Sequence, residues 1–177
     1  MSFMFVSGSL ALDFAGTAKS RVLDPVDVLA TPADLADWVV AAGLLDSAPR
    51  CTPYDLTRAV ELREAAYRLA HSIAFDESWV ATDRTTVNEF ARGLLPVVTL
   101  GSDLQVTRTG HIGSALTAIA RDAIELVGGE YLIKECGRAE CTRLYVDTSR
   151  GGARRWCDMA ICGNRMKARR HYHRSRG

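Results

Sequence analysis

The sequence predicts an α+β fold: a predominantly α-helical N-terminal part with one small β-hairpin, followed by a small cysteine-rich module that ends in a basic helix. Three observations lead to this prediction. Two segments begin with the same Thr-Pro-x-Asp helix start and continue with apolar residues at helical spacing. Four of the five cysteines fall within 27 residues near the C-terminus. The charge changes sign near Lys134, which marks the expected boundary, with one domain over residues 1–131 and the other over residues 132–177.

The bulk composition is that of a globular chain with a hydrophobic core. The chain has 177 residues, of which 47% are hydrophobic and 24% charged. Its longest apolar run, over residues 38–45, is too short to span a membrane. The N-terminus has no basic region and Asp13 interrupts its apolar stretch, so no signal peptide is predicted and the expected location is the cytoplasm.

The net charge of +1 hides a division along the chain. Residues 134–177 contain 12 Lys and Arg against 4 Asp and Glu, whereas the preceding residues contain 10 against 17. A basic segment of this kind favours a polyanionic partner such as nucleic acid. The alternative is that the acidic and basic parts attract each other within one molecule.

The first two predicted helices have the same start. Thr31 is the expected N-cap of one, with Pro32 at its first position and Asp34 at its third. Gly43 is its expected end. The residues expected on its buried face are Leu35, Trp38, Val39 and Ala42. The second helix starts in the same way at Thr52, and its expected inner face consists of Leu62, Ala66, Leu69 and Ile73.

Two more helices are predicted before the cysteines. The inner face of the third, around residues 83–95, should consist of Val87, Phe90, Ala91 and Leu94. The inner face of the fourth, over residues 114–127, should consist of Leu116, Ile119, Ala123 and Leu126. Between them, two β-prone runs flank Gly101 and Ser102, which predicts a hairpin. The opening segment, residues 5–14, is interpreted as another extended piece.

The cysteines form a pattern that suits a metal. Cys136 and Cys141 form one C-x4-C pair, and Cys157 and Cys162 form a second after fifteen intervening residues. Two such pairs, separated by an insert long enough for a hairpin, are typical of a structural zinc site with four thiolates. Two disulfides, an iron–sulfur cluster and four unrelated thiols are the alternatives. The insert supports zinc, because it contains a strand-like run at residues 144–146 and a turn signal at residues 147–152. Such a module is too small to build its own core, so one Zn²⁺ would contribute to its folding.

The segment after Cys162 is densely basic and has no proline. A helix that is basic nearly all round is poorly suited to burial, so contact with the phosphates of nucleic acid is the functional interpretation. The alternative is a solvated tail. The candidate nucleic-acid contacts on this segment and on the cysteine insert are Arg150, Arg154, Arg155, Asn164, Arg165, Lys167, Arg169, Arg170 and Arg174.

The segment "CGRAECTRLYVDTSRGGARRWCDMAICGNRMKARRHYHR" closely resembles the CGNR zinc-finger family, whose name is spelled out by residues 162–165. "LYVDTSR", "RRWC" and "CGNRMKARR" are further shared motifs. The resemblance implies that the four cysteines bind zinc in a treble-clef-like finger. Upstream, "LALDFAGT", "TPADLADWVVAAGLL" and "AVELREAAYRLA" resemble the helical domain of stress-induced transcription regulators, with Gly16 where that family usually has asparagine. Together the resemblances imply a bacterial DNA-binding transcription regulator that acts in stress responses.

The N-terminal part has two candidate roles, which are binding a small effector and forming a homodimer. Asp13, Thr17 and Arg63 are candidate ligand-binding residues, although Asp13 and Arg63 could instead form an ion pair. The sequence contains no nucleophile elbow, no H-E-x-x-H and no phosphate-binding glycine loop, so no enzyme is predicted. The alternatives to DNA binding are a protein-interaction module and an RNA-binding module.

Overall fold

The structure is a computed structural model and describes residues 3–168. Within this range, five α-helices and three two-stranded antiparallel hairpins confirm the α+β class. The helices are α1 (Leu10–Ala15), α2 (Pro32–Ala41), α3 (Pro53–Phe75), α4 (Ala81–Ala91) and α5 (Ile112–Gly128). The hairpins pair β1 (Ala18–Lys19) with β2 (Val26–Asp27), β3 (Val97–Leu100) with β4 (Val106–Thr109), and β5 (Ile133–Glu135) with β6 (Leu144–Val146).

The two Thr-Pro-x-Asp helix starts are confirmed as capping boxes. In α3, the Thr52 hydroxyl accepts a hydrogen bond from the Asp55 backbone N–H at 3.2 Å, and the Asp55 carboxylate accepts one from the Thr52 N–H at 2.8 Å. Thr31 and Asp34 make the same pair of bonds at α2. Each box satisfies backbone donors that the helix itself leaves unpaired.

The main core lies between α1, α2, α3, α4 and α5. Trp38 is fully buried there, with its ring centroid 4.9 Å from that of Phe14. The predicted inner face of α5 is buried along its whole length, as its strong apolar stripe requires. Ile73 and Leu94 differ from the prediction, with 45% and 80% of their surface exposed. Ile73 is near the end of α3, and Leu94 lies beyond the end of α4.

The opening segment is not extended, because it contains the short helix α1. Ser9 is its N-cap and residues 11–15 are all buried. A helix that is buried on every side shows no amphipathic period in its sequence. The alternation of leucine and alanine in this segment therefore resembles the pattern of a strand. The other short elements agree with the sequence, since β3 and β4 form the predicted hairpin and β6 coincides with the predicted strand-like run.

A second apolar cluster joins the helical part to the cysteine-rich part. Leu12 of α1, Ala70 of α3 and Leu126 of α5 pack there against three residues of the β5–β6 hairpin, namely Ile133, Leu144 and Val146. The predicted domain boundary at residues 131 and 132 falls in the connection between α5 and β5. The cysteine-rich part is therefore docked on the helices through a shared core.

No helix among residues 3–168 has both the length and the apolar character needed to cross a membrane.

Candidate metal centre

Turns around the β5–β6 hairpin carry the four cysteines of the predicted metal site. Cys136 directly follows β5 and Cys141 lies in the turn before β6. Cys157 follows the 3₁₀ turn Arg150–Gly152, and Cys162 lies in the π-helical turn Met159–Gly163. The Cys136 N–H donates to the Arg143 carbonyl at 3.0 Å, which holds the first pair against the hairpin.

The sulfur atoms of the four cysteines lie within 4.8 Å of one another. The Sγ atoms of Cys141 and Cys157 are 3.8 Å apart, and those of Cys157 and Cys162 are 3.5 Å apart. A zinc–sulfur bond of about 2.3 Å gives a tetrahedron whose edge is about 3.8 Å. A disulfide needs a sulfur–sulfur distance of about 2.05 Å. All four thiols are free, and their spacing fits a tetrahedral thiolate site.

The ionisation of the cluster also favours a bound cation. Hydrogen bonds from Cys141 and Cys157 hold the pKa of Cys136 far below its usual range, while the same contact with Cys136 raises the pKa of Cys157. Burial raises the pKa of Cys162 to about 12. A divalent ion allows all four to ionise, and thiolates are the ligands that zinc prefers.

Two aromatic side chains pack against the cysteine cluster. Tyr145 of β6 is fully buried and packs with Cys136, Cys157 and Cys162, while Trp156 covers the cluster from the edge. Gly163 fits this packing, because a Cβ there would lie 2.6 Å from the Met159 sulfur and 3.2 Å from the Trp156 ring. Its backbone N–H donates to the Asp158 carbonyl at 3.0 Å.

Arg154 is less exposed than the other predicted nucleic-acid contacts that the structure describes. Its guanidinium lies over the Tyr145 ring at 4.4 Å and donates to the carbonyls of Trp156, Cys157 and Val6. These bonds tie the insert to the N-terminal segment. They give Arg154 a structural role, and its contact with nucleic acid stays a prediction.

The remaining described candidates lie on the surface, and their side chains are exposed. They are Arg150, Arg155, Asn164, Arg165 and Lys167. The last three belong to the helical residues 164–168, which directly follow the turn of Cys162. Arg169, Arg170 and Arg174 lie outside the described residues.

The structure brings Thr17 and Arg63, two of the three candidate effector residues, together and gives Asp13 different partners. Thr17 and Arg63 are both buried and are hydrogen bonded at 3.2 Å, but Arg63 is occupied by a bidentate ion pair with Asp27 at 2.7 and 2.8 Å. Asp13 lies elsewhere and accepts hydrogen bonds from the backbone of Val6 and Ser7. Among residues 3–168, Asp13 and Arg63 form ion pairs with other residues and not with each other, while their role in binding an effector stays a prediction.

Asp13 instead meets Arg143, which comes from the cysteine-rich part. The Arg143 guanidinium is 3.6 Å from the Asp13 carboxylate and donates to the Ser7 hydroxyl and the Gly16 carbonyl. Burial raises the pKa of Asp13 and outweighs the hydrogen bonds and the charge that lower it. No sequence pattern predicts this role for Arg143, since a lone arginine before a strand gives no signal of burial.

A second polar anchor holds the turn after β6. Asp147 accepts hydrogen bonds from the Lys134 ammonium at 2.8 Å and from the backbone and hydroxyl of Ser149. The bond from Lys134 keeps the pKa of Asp147 far below its usual range. The Asp-Thr-Ser turn signal in the sequence located this feature, but not its partner Lys134 on β5.

An open cleft of about 290 Å³ lies between the two parts, beside the cysteines. Gly16 and Lys19 contribute to one side, and Arg138, Arg143 and Arg165 contribute to the other. The buried Arg138 Nε makes no hydrogen bond within residues 3–168, since its nearest carboxylate oxygen, on Glu140, is 3.5 Å away.

Comparison with known protein families gave two matches. Residues 8–130 match the family described as "Putative stress-induced transcription regulator", and residues 133–175 match the CGNR zinc finger. A comparison with curated proteins gave no match. With the clustered thiols, the second match identifies the cofactor as a single zinc ion.

Proposed function

The chain belongs to the stress-induced transcription regulator family that matches residues 8–130, and on this premise we propose that it is a zinc-dependent DNA-binding regulator. In this proposal, Cys136, Cys141, Cys157 and Cys162 hold the zinc and the basic segment that follows binds DNA. Such a protein would act in the cytoplasm, where the bacterial chromosome lies. Zinc has a structural role here, because four thiolates complete its coordination and leave no open position for a reaction.

The observation that carries the proposal is the position of the basic helix relative to the metal centre. Residues 164–168 are helical and begin two residues after Cys162, so the metal site fixes the start of the helix. Alone, so short a helix would be marginal in water. Arg165 and Lys167 are exposed and form no ion pair or hydrogen bond among residues 3–168, which leaves their charges available for phosphates.

Binding to a random duplex pool, at increasing salt, tests the proposal. If about six phosphates are contacted, the logarithm of the affinity should fall with the logarithm of salt with a slope of about −5. The double variant Arg165→Ala with Lys167→Ala should reduce the slope by about 2 and weaken binding to all sequences alike, with zinc retained. Arg84→Ala is the matched control, because Arg84 is an exposed arginine on α4, remote in sequence from the finger.

The alternatives predict different results. A finger that binds an acidic protein would give no duplex binding at low salt, and this outcome would reject the proposal. Tighter binding to single-stranded or duplex RNA than to DNA, with the same salt dependence, would reassign the partner to RNA.

For the sensing role, we propose that a small anion binds in the cleft between the two parts. Lys19, Arg138 and Arg165 line it together with Asp24, Glu140 and the zinc-ligating Cys141, Cys157 and Cys162. Its distinctive donor is the buried Arg138 Nε, which makes no hydrogen bond within residues 3–168. An acceptor on the ligand would satisfy the Arg138 Nε. Sulfate or succinate should raise the melting temperature of the zinc-loaded protein, and Arg138→Gln should abolish the rise while Arg84→Gln preserves it. An equal rise in both variants would place the anion elsewhere.

A further inference from the structure

Exposed large hydrophobic residues are concentrated in the β3–β4 hairpin and in the segment just before it. Twenty large hydrophobic residues are exposed among residues 3–168, and seven of them fall between residues 94 and 106. They are Leu94, Leu95, Val97, Val98, Leu100, Leu104 and Val106. A contiguous exposed apolar patch usually marks an interaction site. A two-stranded hairpin without further strands is also marginally stable in water, so this one should gain from a neighbour.

The two edges of this hairpin differ in whether their backbone groups have hydrogen-bond partners. On β4, the backbone of Arg108 is covered by Asp46, whose N–H donates to the Arg108 carbonyl at 3.0 Å and whose carboxylate accepts from the Arg108 N–H at 2.7 Å. Hydrogen-bonded and non-hydrogen-bonded residue pairs alternate along an antiparallel pair of strands. Because Thr99 and Thr107 form a hydrogen-bonded pair, the backbone N–H and C=O groups of Val98 and Leu100 on β3 point away from β4. Within residues 3–168, no group pairs with the outward N–H and C=O of Val98 or Leu100.

The free edge also lacks the protection that edge strands usually have. Native proteins place charges, bulges or proline on such edges to prevent pairing with another chain. Residues 93–102 contain no charged side chain, and the only proline, Pro96, lies before the first residue of β3. The edge is therefore open to a further strand.

We propose that the occupant is β3 of a second copy of this chain, paired antiparallel about a two-fold axis at Thr99. In this register the outward groups of Val98 pair with those of Leu100 in the other copy, and the reverse pair forms by symmetry. The result is one four-stranded sheet across the dimer. Val98 and Leu100 then become directly opposed side chains, which is a stabilising cross-strand pair.

Charge explains why a second copy, in this orientation, fits the edge. Arg92 precedes the uncharged run and Asp103 follows it. In antiparallel pairing the Arg92 end of each uncharged run lies on the same side as the Asp103 end of the other, within about three residues of register. Parallel pairing would bring like charges together. The exposed Arg92 side chain has no hydrogen-bond or ion-pair partner within residues 3–168. The charges on either side of the uncharged run are thus complementary to those of a second copy in antiparallel orientation.

A disulfide test is specific for this register. Opposed residues that do not exchange backbone bonds have Cα atoms about 4.5 Å apart, which a disulfide can bridge. Thr99→Cys should therefore form an interchain disulfide under mild oxidation. Thr107→Cys is the matched control, since Thr107 is equally exposed and either change removes the same 2.5 Å Thr99–Thr107 hydroxyl contact. The two copies of Thr107 would be about 14 Å apart, three strand spacings, so this variant should stay unlinked.

The mass of the zinc-loaded protein in solution, without nucleic acid, provides an independent test. The wild type should sediment as a dimer, and Val98→Pro should shift it to a monomer, because proline removes an N–H that only the second copy uses. Val98→Thr keeps that N–H and should stay dimeric. A wild-type monomer at about 100 µM, a dimer that survives Val98→Pro, or equal crosslinking of the two cysteine variants would overturn the proposal. None of these outcomes depends on DNA binding.

Discussion

At the scale of single residues, Gly16 shows how closely the two parts fit. Its backbone is in an ordinary helical conformation, so glycine is not needed there for its conformational freedom. Instead, the Arg143 guanidinium occupies the space where a side chain would begin. An asparagine at this position would require Arg143 to lie elsewhere. The absence of a side chain at Gly16 therefore leaves room for the buried Arg143 guanidinium.

Gly16→Ala should destabilise the protein by about 1–3 kcal/mol, because the added methyl group overlaps a guanidinium that is held by Asp13, Ser7 and the Gly16 carbonyl. Thermal or urea unfolding of the zinc-loaded protein measures the change. Gly128→Ala is the matched control, since a Cβ at Gly128 meets nothing within 4 Å and alanine favours the helix. Equal stabilities of the two variants would show that Arg143 moves aside at little cost.

Cys136→Ser should lose the zinc, because serine offers no thiolate to a site whose other donors are three sulfurs. Native mass spectrometry should detect one zinc per chain in the wild type and none in this variant. Cys51→Ser should keep its zinc, since Cys51 is a free thiol remote in sequence from the cluster. A Cys136→Ser protein that still holds one zinc per chain would remove Cys136 from the ligand set.

At the scale of elements, the two capping boxes account for the accuracy of the helix prediction. Each box consists of short-range contacts between a threonine and an aspartate three residues later, so the local sequence determines it. The formation of helix α1, by contrast, depends on residues that are distant in the sequence. Its six residues are helical because α3 and α5 pack around them, which is a tertiary effect.

Thr52→Ala should therefore cost about 1 kcal/mol of stability, because it leaves the Asp55 N–H at the start of α3 without its acceptor. Chemical unfolding measures this loss. Thr57→Ala is the comparison on the same helix, where the hydroxyl bonds only to the Pro53 carbonyl and alanine is the better helix former. A Thr57→Ala protein as unstable as Thr52→Ala would mean that the cap does not determine the difference.

At the scale of the whole molecule, the zinc site and the helical core are joined through one apolar cluster. Ile133, Leu144 and Val146 belong to the hairpin that carries the cysteines, yet they are buried against α1, α3 and α5. Arg143 and Arg154 add polar bonds across the same junction. Loss of the metal should consequently affect the N-terminal helices.

Removal of zinc by a chelator should lower the melting temperature of the entire protein. With Trp156→Phe, the fluorescence of the remaining tryptophans, including the buried Trp38, reports on the helical part alone. Its unfolding should shift together with zinc loss in a single transition. Cys136→Ser protein should not respond to the chelator. Two separate transitions, with the upper one unaffected by zinc, would show that the helices fold independently of the finger.

The sequence by itself determined whatever depends on local spacing. It located the capped helices, the β3–β4 hairpin and the four cysteines, because caps, turns and ligand pairs are formed by residues close together in the chain. The tertiary structure alone decided which distant groups meet. It places Asp13 beside Arg143 rather than Arg63, and it bonds the Arg154 guanidinium to the Val6 carbonyl. It also leaves the outward backbone groups of Val98 and Leu100 on β3 without a partner within residues 3–168. Those outcomes depend on how the helices and the finger pack, and no local pattern encodes the position of a partner more than a hundred residues away.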